Sequence, residues 1–222
     1  MNRIVFTGIF CFISFLSLAQ TSIGFRGGYV TSSYGYQPAA NSRKISVGGI
    51  GAPTYAFVFE HFSSKNAGIE LNLQLLSIGF QQLNEDVSPV QTNETKFDYL
   101  KVPILSSFYM GKSGRFQIKF GPHLGYLMKA TDISREFSGS NPPELPTYGE
   151  AEDEPNKFMY GITAGAGLSK LFGKSTLAGE VRFAYDFTNP EGQDRVFDMS
   201  STNLEFTLAY LFKIRELKKD EF

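Results

Sequence analysis

Phe116-Gln-Ile-Lys-Phe-Gly-Pro-His-Leu-Gly-Tyr126 decides the fold. Its even-numbered positions are apolar throughout, and Gln117, Lys119 and His123 fall between them with two glycines. Successive side chains of a strand point to opposite faces, so this period of two gives one greasy face and one polar face. The same rhythm runs through Ile69-Glu-Leu-Asn-Leu-Gln-Leu75, Leu177 to Phe187 and Leu204 to Phe212. After the first residues, no apolar run approaches the ~18 residues that a membrane helix needs.

Working outward from these segments, we expect eight strands at about 22–31, 49–61, 67–82, 96–110, 115–129, 157–171, 175–188 and 201–214. In the third, the apolar set shifts phase at Leu75-Leu76 and continues at Ile78 and Phe80, which suggests a β-bulge. Pro103 and Pro122 lie inside strands, where bulges or kinks would accommodate them. Short connections (Phe62 to Asn66, Gly111 to Gly114, Phe172 to Lys174) alternate strictly with long ones at about 32–48, 83–95, 130–156 and 189–200. Strict alternation of turns and loops marks an up-and-down barrel in an outer membrane, with tight periplasmic turns and long extracellular loops. The expected fold is therefore all-β: an eight-stranded antiparallel up-and-down transmembrane β-barrel. An even strand number places both termini on the periplasmic side.

A membrane barrel turns its greasy face outward. That sends Phe116, Ile118, Phe120, Pro122, Leu124 and Tyr126 to lipid, with Val181, Phe183, Phe206 and Leu208 from the last two strands. The inward set then contains a balanced charge cluster: Arg26, Glu60, Glu70, Lys101, Lys119, Glu180, Arg182 and Glu205. Eight strands enclose a space that side chains about fill. Opposite charges there are expected to pair, because an unpaired buried charge is expensive. On this reading Phe120→Arg is harmful and Lys119→Gln is tolerated.

The ends fit export. Arg3 opens a short basic region, Ile4 to Leu18 is apolar, and Ser17-Leu18-Ala19 offers small residues for cleavage before Gln20. Residues 1–19 are thus expected to be a signal peptide, and 20–222 one barrel domain with a short charged C-terminal tail. Cys11 is the only cysteine. It falls within the signal, so the mature chain has no disulfide, thiolate metal site or cysteine nucleophile. A lipoprotein would need cleavage at Cys11, where Phe10 precedes and more apolar residues follow. Twenty-two Phe and 11 Tyr beside 22 Gly, without a helical period, suit an all-β chain. The formal net charge of −1 carries no basic excess that would point to nucleic acid.

Tyr99-Leu-Lys-Val-Pro-Ile104, Lys119-Phe-Gly-Pro-His-Leu-Gly-Tyr126 and the Gly-rich stretch from Gly161 to Leu168 carry a family likeness, supported by Gly68-Ile-Glu-Leu71. They resemble the Tyr-Leu-x-x-Pro, Gly-Pro-x-x-Gly, Gly-rich and acidic strands of the PorT-like outer-membrane β-barrel family of Bacteroidota. The likeness spans most of the mature chain. It implies an outer-membrane barrel; the founding member is linked to type IX secretion and gliding. It supplies no catalytic residues.

Neither His61 nor His123 lies in a long loop, and no Ser-His-Asp set is suggested there. We expect no catalysis and no cofactor. Gly161, Gly165 and Gly167 fit neither a dinucleotide fingerprint nor a phosphate loop; they let a strand bend or a bulky neighbour fill the lumen. Glu150, Glu152, Asp153 and Glu154 could offer oxygens to Ca²⁺, but without the spacing of an EF-hand. The 130–156 segment, rich in Pro, Ser, Gly and Glu, is expected to be a mobile, solvated loop. The leading functional expectation is a structural or interaction barrel in outer-membrane lipid, with envelope or secretion proteins as partners. The alternatives are a small-solute transport or binding barrel and a secreted, soluble, calycin-like ligand binder.

Overall fold

The computed structural model describes residues 20–84, 91–136, 145–148 and 150–215. Among the described residues nine strands run in chain order: β1 (Gln20–Gln37), β2 (Ile45–Gly49), β3 (Gly51–Phe62), β4 (Ala67–Asn84), β5 (Gln91–Gly111), β6 (Gly114–Arg135), β7 (Phe158–Phe172), β8 (Ser175–Asp186) and β9 (Asp198–Arg215). β2 and β3 occupy one place in the sheet, broken at Ile50, because both pair antiparallel with β1 and with β4. Each other strand pairs antiparallel with the next, and β9 closes on β1 from Thr21↔Arg215 to Gln37↔Asp198. The described residues thus form a ring of eight strand positions with no open edge.

Three two- to four-residue turns close one end; Gly111 and Gly173 supply the positive φ that two of them require. At the other end β1 and β6 extend six residues past the expected limits, and β4 two. β1 reaches Gln37, β4 reaches Asn84 and β6 reaches Arg135, so the sheet rises into segments read as loops.

The alternation sorts the faces as expected. Phe120 and Phe206 are each 53% exposed, and Phe116, Ile118, Leu124, Val181, Phe183 and Leu208 are likewise exposed on the outer wall. Their neighbours Gln117, Lys119, His123, Arg182 and Glu205 are buried inside.

The expected bulge at Leu75-Leu76 does not form. β4 keeps one register with β3 from Tyr55↔Leu75 to Phe62↔Gly68 and with β5 from Gln74↔Lys101 to Asn84↔Gln91. Leu75 points out; Leu76, Ile78 and Phe80 point in. The extra residue lies instead on the facing side, where 50–54 stand opposite 76–79 between Gly49↔Phe80 and Tyr55↔Leu75, and the lumen turns from mainly polar to mainly apolar at this height. Pro103 and Pro122 also sit without a shift. Near Pro103 the β4–β5 register is the same at Leu71↔Ile104 and Gln74↔Lys101, and near Pro122 the β5–β6 register is the same at Pro103↔His123 and Ser106↔Phe120. The missing donor leaves a short gap in the ladder rather than a bulge.

Candidate functional site

The interior of the barrel is the site to be explained. Towards the turns it holds a charge network. Glu70 on β4 is its centre: Arg26 donates to both carboxylate oxygens (2.9 and 3.1 Å), Lys119 approaches to 2.5 Å and Arg182 to 2.5 Å. Glu180 receives Arg26 at 3.0 Å, Lys119 at 2.7 Å and Arg182 at 2.7 Å. Glu60 accepts the Tyr109 hydroxyl and stands 3.7 Å from Lys119. Glu205 accepts Gln74 at 2.9 Å and lies 3.9 Å from Lys101. All eight charged residues named from the sequence are buried here, and Lys101 Nζ makes no hydrogen bond. In so buried a space the shared carboxylates offset the loss of hydration.

The wall of β7 explains how β6 and β8 meet across it. Gln117, Gly167 and Glu180 form one row, Lys119, Gly165 and Arg182 the next, and His123, Gly161 and Asp186 a third. With no Cβ on β7, Gln117 reaches Glu180 at 2.8 Å and His123 reaches Asp186 at 2.7 Å. A Cβ on Gly167 would lie 2.9 Å from Glu180 Cγ, and one on Gly161 2.7 Å from the His123 ring. These glycines are gaps through which lumen side chains cross.

His123 and Asp186 form a second polar group that sequence reasoning missed. The imidazole also meets the Thr163 hydroxyl at 2.9 Å. Asp186 accepts the Ser201 hydroxyl, and Asn203 at 2.7 Å. Hydroxyl, imidazole and carboxylate stand in the order of a nucleophilic triad, but Thr163, His123 and Asp186 are each at most 2% exposed. No substrate can approach the hydroxyl in this state. The alternation of β8 did mark Asp186 as inward; its pairing with a residue two strands away had no local signal.

Above this level the inner face is largely apolar, with Ser32, Asn93 and Thr95 the buried polar exceptions on β1 and β5. Tyr34, Leu76, Ile78, Phe80, Phe97, Tyr99, Met159 and Met199 form one buried cluster. Its lid comes from the segment expected to be a mobile loop. Tyr148 is fully buried, with its ring 5.1 Å from Phe97 in a T-shaped contact, and Leu145 is buried beside it. Asp132 accepts the Tyr148 amide at 2.9 Å, Arg135 bridges Asp132 and Glu150, and Arg195 lies over the Tyr148 ring at 5.0 Å. The Tyr148 hydroxyl donates to Glu191 at 3.0 Å; burial and that carboxylate hold its pKa well above the ordinary tyrosine value. The described part of this segment is therefore a docked cap. Glu150 and Asp153 serve Arg135 and Arg195, and among the described residues no group of His, Asp and Glu is arranged to hold a metal.

At the turn end the lumen also holds packed side chains. Arg115 stacks over Tyr109 at 4.5 Å and over Phe62 at 5.9 Å.

Comparison with known proteins agrees with this architecture. Residues 18–190 match the family model described as an outer membrane protein β-barrel domain. No curated protein matches the sequence. Among solved structures, the outer membrane protein AlkL, determined in lipid bilayers, is 12% identical with a TM-score of 0.51, over 91% of this chain and 94% of its own. OprG from Pseudomonas aeruginosa is 11% identical with a TM-score of 0.49, over 90% and 98%. Ail of Yersinia pestis is 11% identical with a TM-score of 0.43, over 87% and 99%. Greasy outside, charged within and closed by its own first and last strands, this chain belongs to the outer membrane protein β-barrel family and resides in the outer membrane.

Proposed function

We propose that this protein is a sealed envelope barrel that works through its surfaces and carries out no catalysis. The observation that supports this reading is that side chains fill the lumen at three levels: Arg115 with Tyr109 at the turns, the Glu70 network next to them and the Tyr148 cap at the loops. A filled interior leaves the loop end and the turn end as the places where another molecule can act. Tight turns on the periplasmic side and long loops outside are the rule for such barrels. Residues 1–19 act in this reading as the export signal, with cleavage before Gln20. The strands around Tyr99, Gly121 and Gly161 resemble the PorT-like family, which favours an envelope or secretion assembly as the partner. A photo-crosslinker at Glu152 on the capping segment should trap a discrete envelope protein in living cells, and one at Phe120 on the lipid wall should not. Trapping only at Phe120, or at neither site, would refute a partner at the loop end.

A second reading, binding of an apolar solute, has one observation in its favour: the apolar inner face beneath Tyr148. The soluble calycin-like alternative is set aside, because the outer wall is apolar and the charges lie within.

A further inference from the structure

The two ends of the barrel differ sharply in charge. The four connections at the loop end, residues 38–44, 85–90, 136–157 and 187–197, carry ten acidic residues against four basic ones. The three turns and β9 as far as Arg215 carry only cations, while the tail that follows, residues 216–222, is mixed, with Glu216, Asp220 and Glu221 against Lys218 and Lys219. The first turn holds Lys65, the second Lys112 with Arg115 following, the third Lys174 with Lys170 preceding, and β9 ends in Lys213 and Arg215. Segments 63–66, 111–115, 170–175 and 211–215 contain no Asp or Glu. Glu60, the nearest carboxylate on β3, is buried in the lumen and bonded to Tyr109.

Lys65, Lys112, Lys170 and Lys174 are exposed, and among the described residues none of them joins a salt bridge. They are spread over all three turns rather than gathered on one side. They also sit where the greasy wall ends. Phe172 is 52% exposed with Lys170 Nζ 5.2 Å from its ring, and Met110 and Phe116 are exposed on either side of Lys112. Lysines at that height lay their methylene stems on the apolar wall and lift their ammonium groups to the boundary with water. Headgroup phosphates lie at the same boundary. One acidic protein docks on one footprint, whereas a lipid annulus surrounds the barrel, as these lysines do.

We infer that the turn end is a binding surface for anionic phospholipid headgroups in the periplasmic leaflet, with Lys65, Lys112, Lys170 and Lys174 as the contacting residues. The side of the membrane rests on the orientation proposed above; the lipid chemistry does not. Attraction of about 1 kcal/mol per basic side chain near an anionic surface corresponds to a factor of about five. Screening by salt would reduce it.

The test is lipid-spin-label electron paramagnetic resonance on full-length mature barrel in phosphatidylcholine vesicles. It compares labelled phosphatidylglycerol with labelled phosphatidylcholine in the protein-bound fraction. Phosphatidylglycerol should be favoured by about two- to fivefold at low salt, and the preference should fall as salt rises. The variant K65Q/K112Q/K170Q/K174Q should approach parity, with the heat-modifiable gel shift of a folded barrel retained. A loop-end control, K129Q/K157Q, should keep the preference. No preference in the unmodified protein overturns the inference without touching the sealed-barrel reading. So does a preference that survives the quadruple change or disappears in the control. Equal association of both lipids, with salt-sensitive binding of polyglutamate to the turn end in detergent, would reassign the surface to an acidic protein.

Discussion

The lumen has two halves made by different means, and β4 crosses both. Its inward residues run Glu70, Asn72, Gln74, then Leu76, Ile78, Phe80, without a change of register against β5. Below Gln74, order comes from charges that must all find partners. Above Leu76, it comes from apolar side chains that must fill space. The charged half is intolerant of losing one member, because Glu70 and Glu180 each serve three cations. The apolar half should fail gradually, in proportion to the void left behind.

The first way to break this comparison is Glu70→Ala. It strands Arg26, Lys119 and Arg182 around a missing carboxylate, and removing one partner from a buried ion cluster costs about 3–5 kcal/mol. Urea unfolding in detergent should show this loss. Lys119→Gln belongs to the same class. Sequence alternation alone suggested that it would be tolerated. The contacts to Glu60, Glu70 and Glu180 now predict clear destabilisation, because the neutral amide leaves three carboxylates under-compensated.

In the apolar half, Leu76→Ala should cost about 2–5 kcal/mol, the range for a fully buried leucine. Glu70→Ala should be partly relieved by a second change, Arg182→Met, that removes a stranded cation. Leu76→Ala should gain nothing from that second change. If Arg182→Met acts equally in both backgrounds, the halves are not distinct. Phe120→Arg puts a charge on the lipid wall and should cost about 2–4 kcal/mol near the midplane, read by the same unfolding curve. At the cap, Arg135→Ala removes a partly exposed guanidinium that pairs with Asp132 and Glu150 and donates to the Tyr148 carbonyl, so the effect on stability should be about 0–1 kcal/mol. Limited proteolysis within residues 150–156 should nevertheless become faster.

The outer wall and the ring of strands were legible because period two is a local signal: Phe116, Ile118 and Phe120 declare their face within five residues. The membership of the charge cluster was legible for the same reason. Its wiring was not. His123 and Asp186 are 63 residues apart and meet only over Gly161, a contact that exists once β6, β7 and β8 are in register. The shift at Leu75-Leu76 was misread for a related reason. A change in lumen polarity and a bulge leave the same trace in a hydrophobicity pattern, and only the neighbouring strands tell them apart. The cap was hidden by composition. A stretch rich in Pro, Gly and Glu reads as solvated, yet Tyr148 and Leu145 within it find a ready apolar mouth.

The central claim is that the barrel is sealed, and single-channel recording of the purified, folded protein in a planar bilayer tests it most directly. The account predicts no steady conductance from the unmodified protein at either polarity. A large, stable, voltage-independent conductance would contradict it, because ions cannot pass a lumen closed by Arg115 and Tyr109, the Glu70 network and Tyr148 in series.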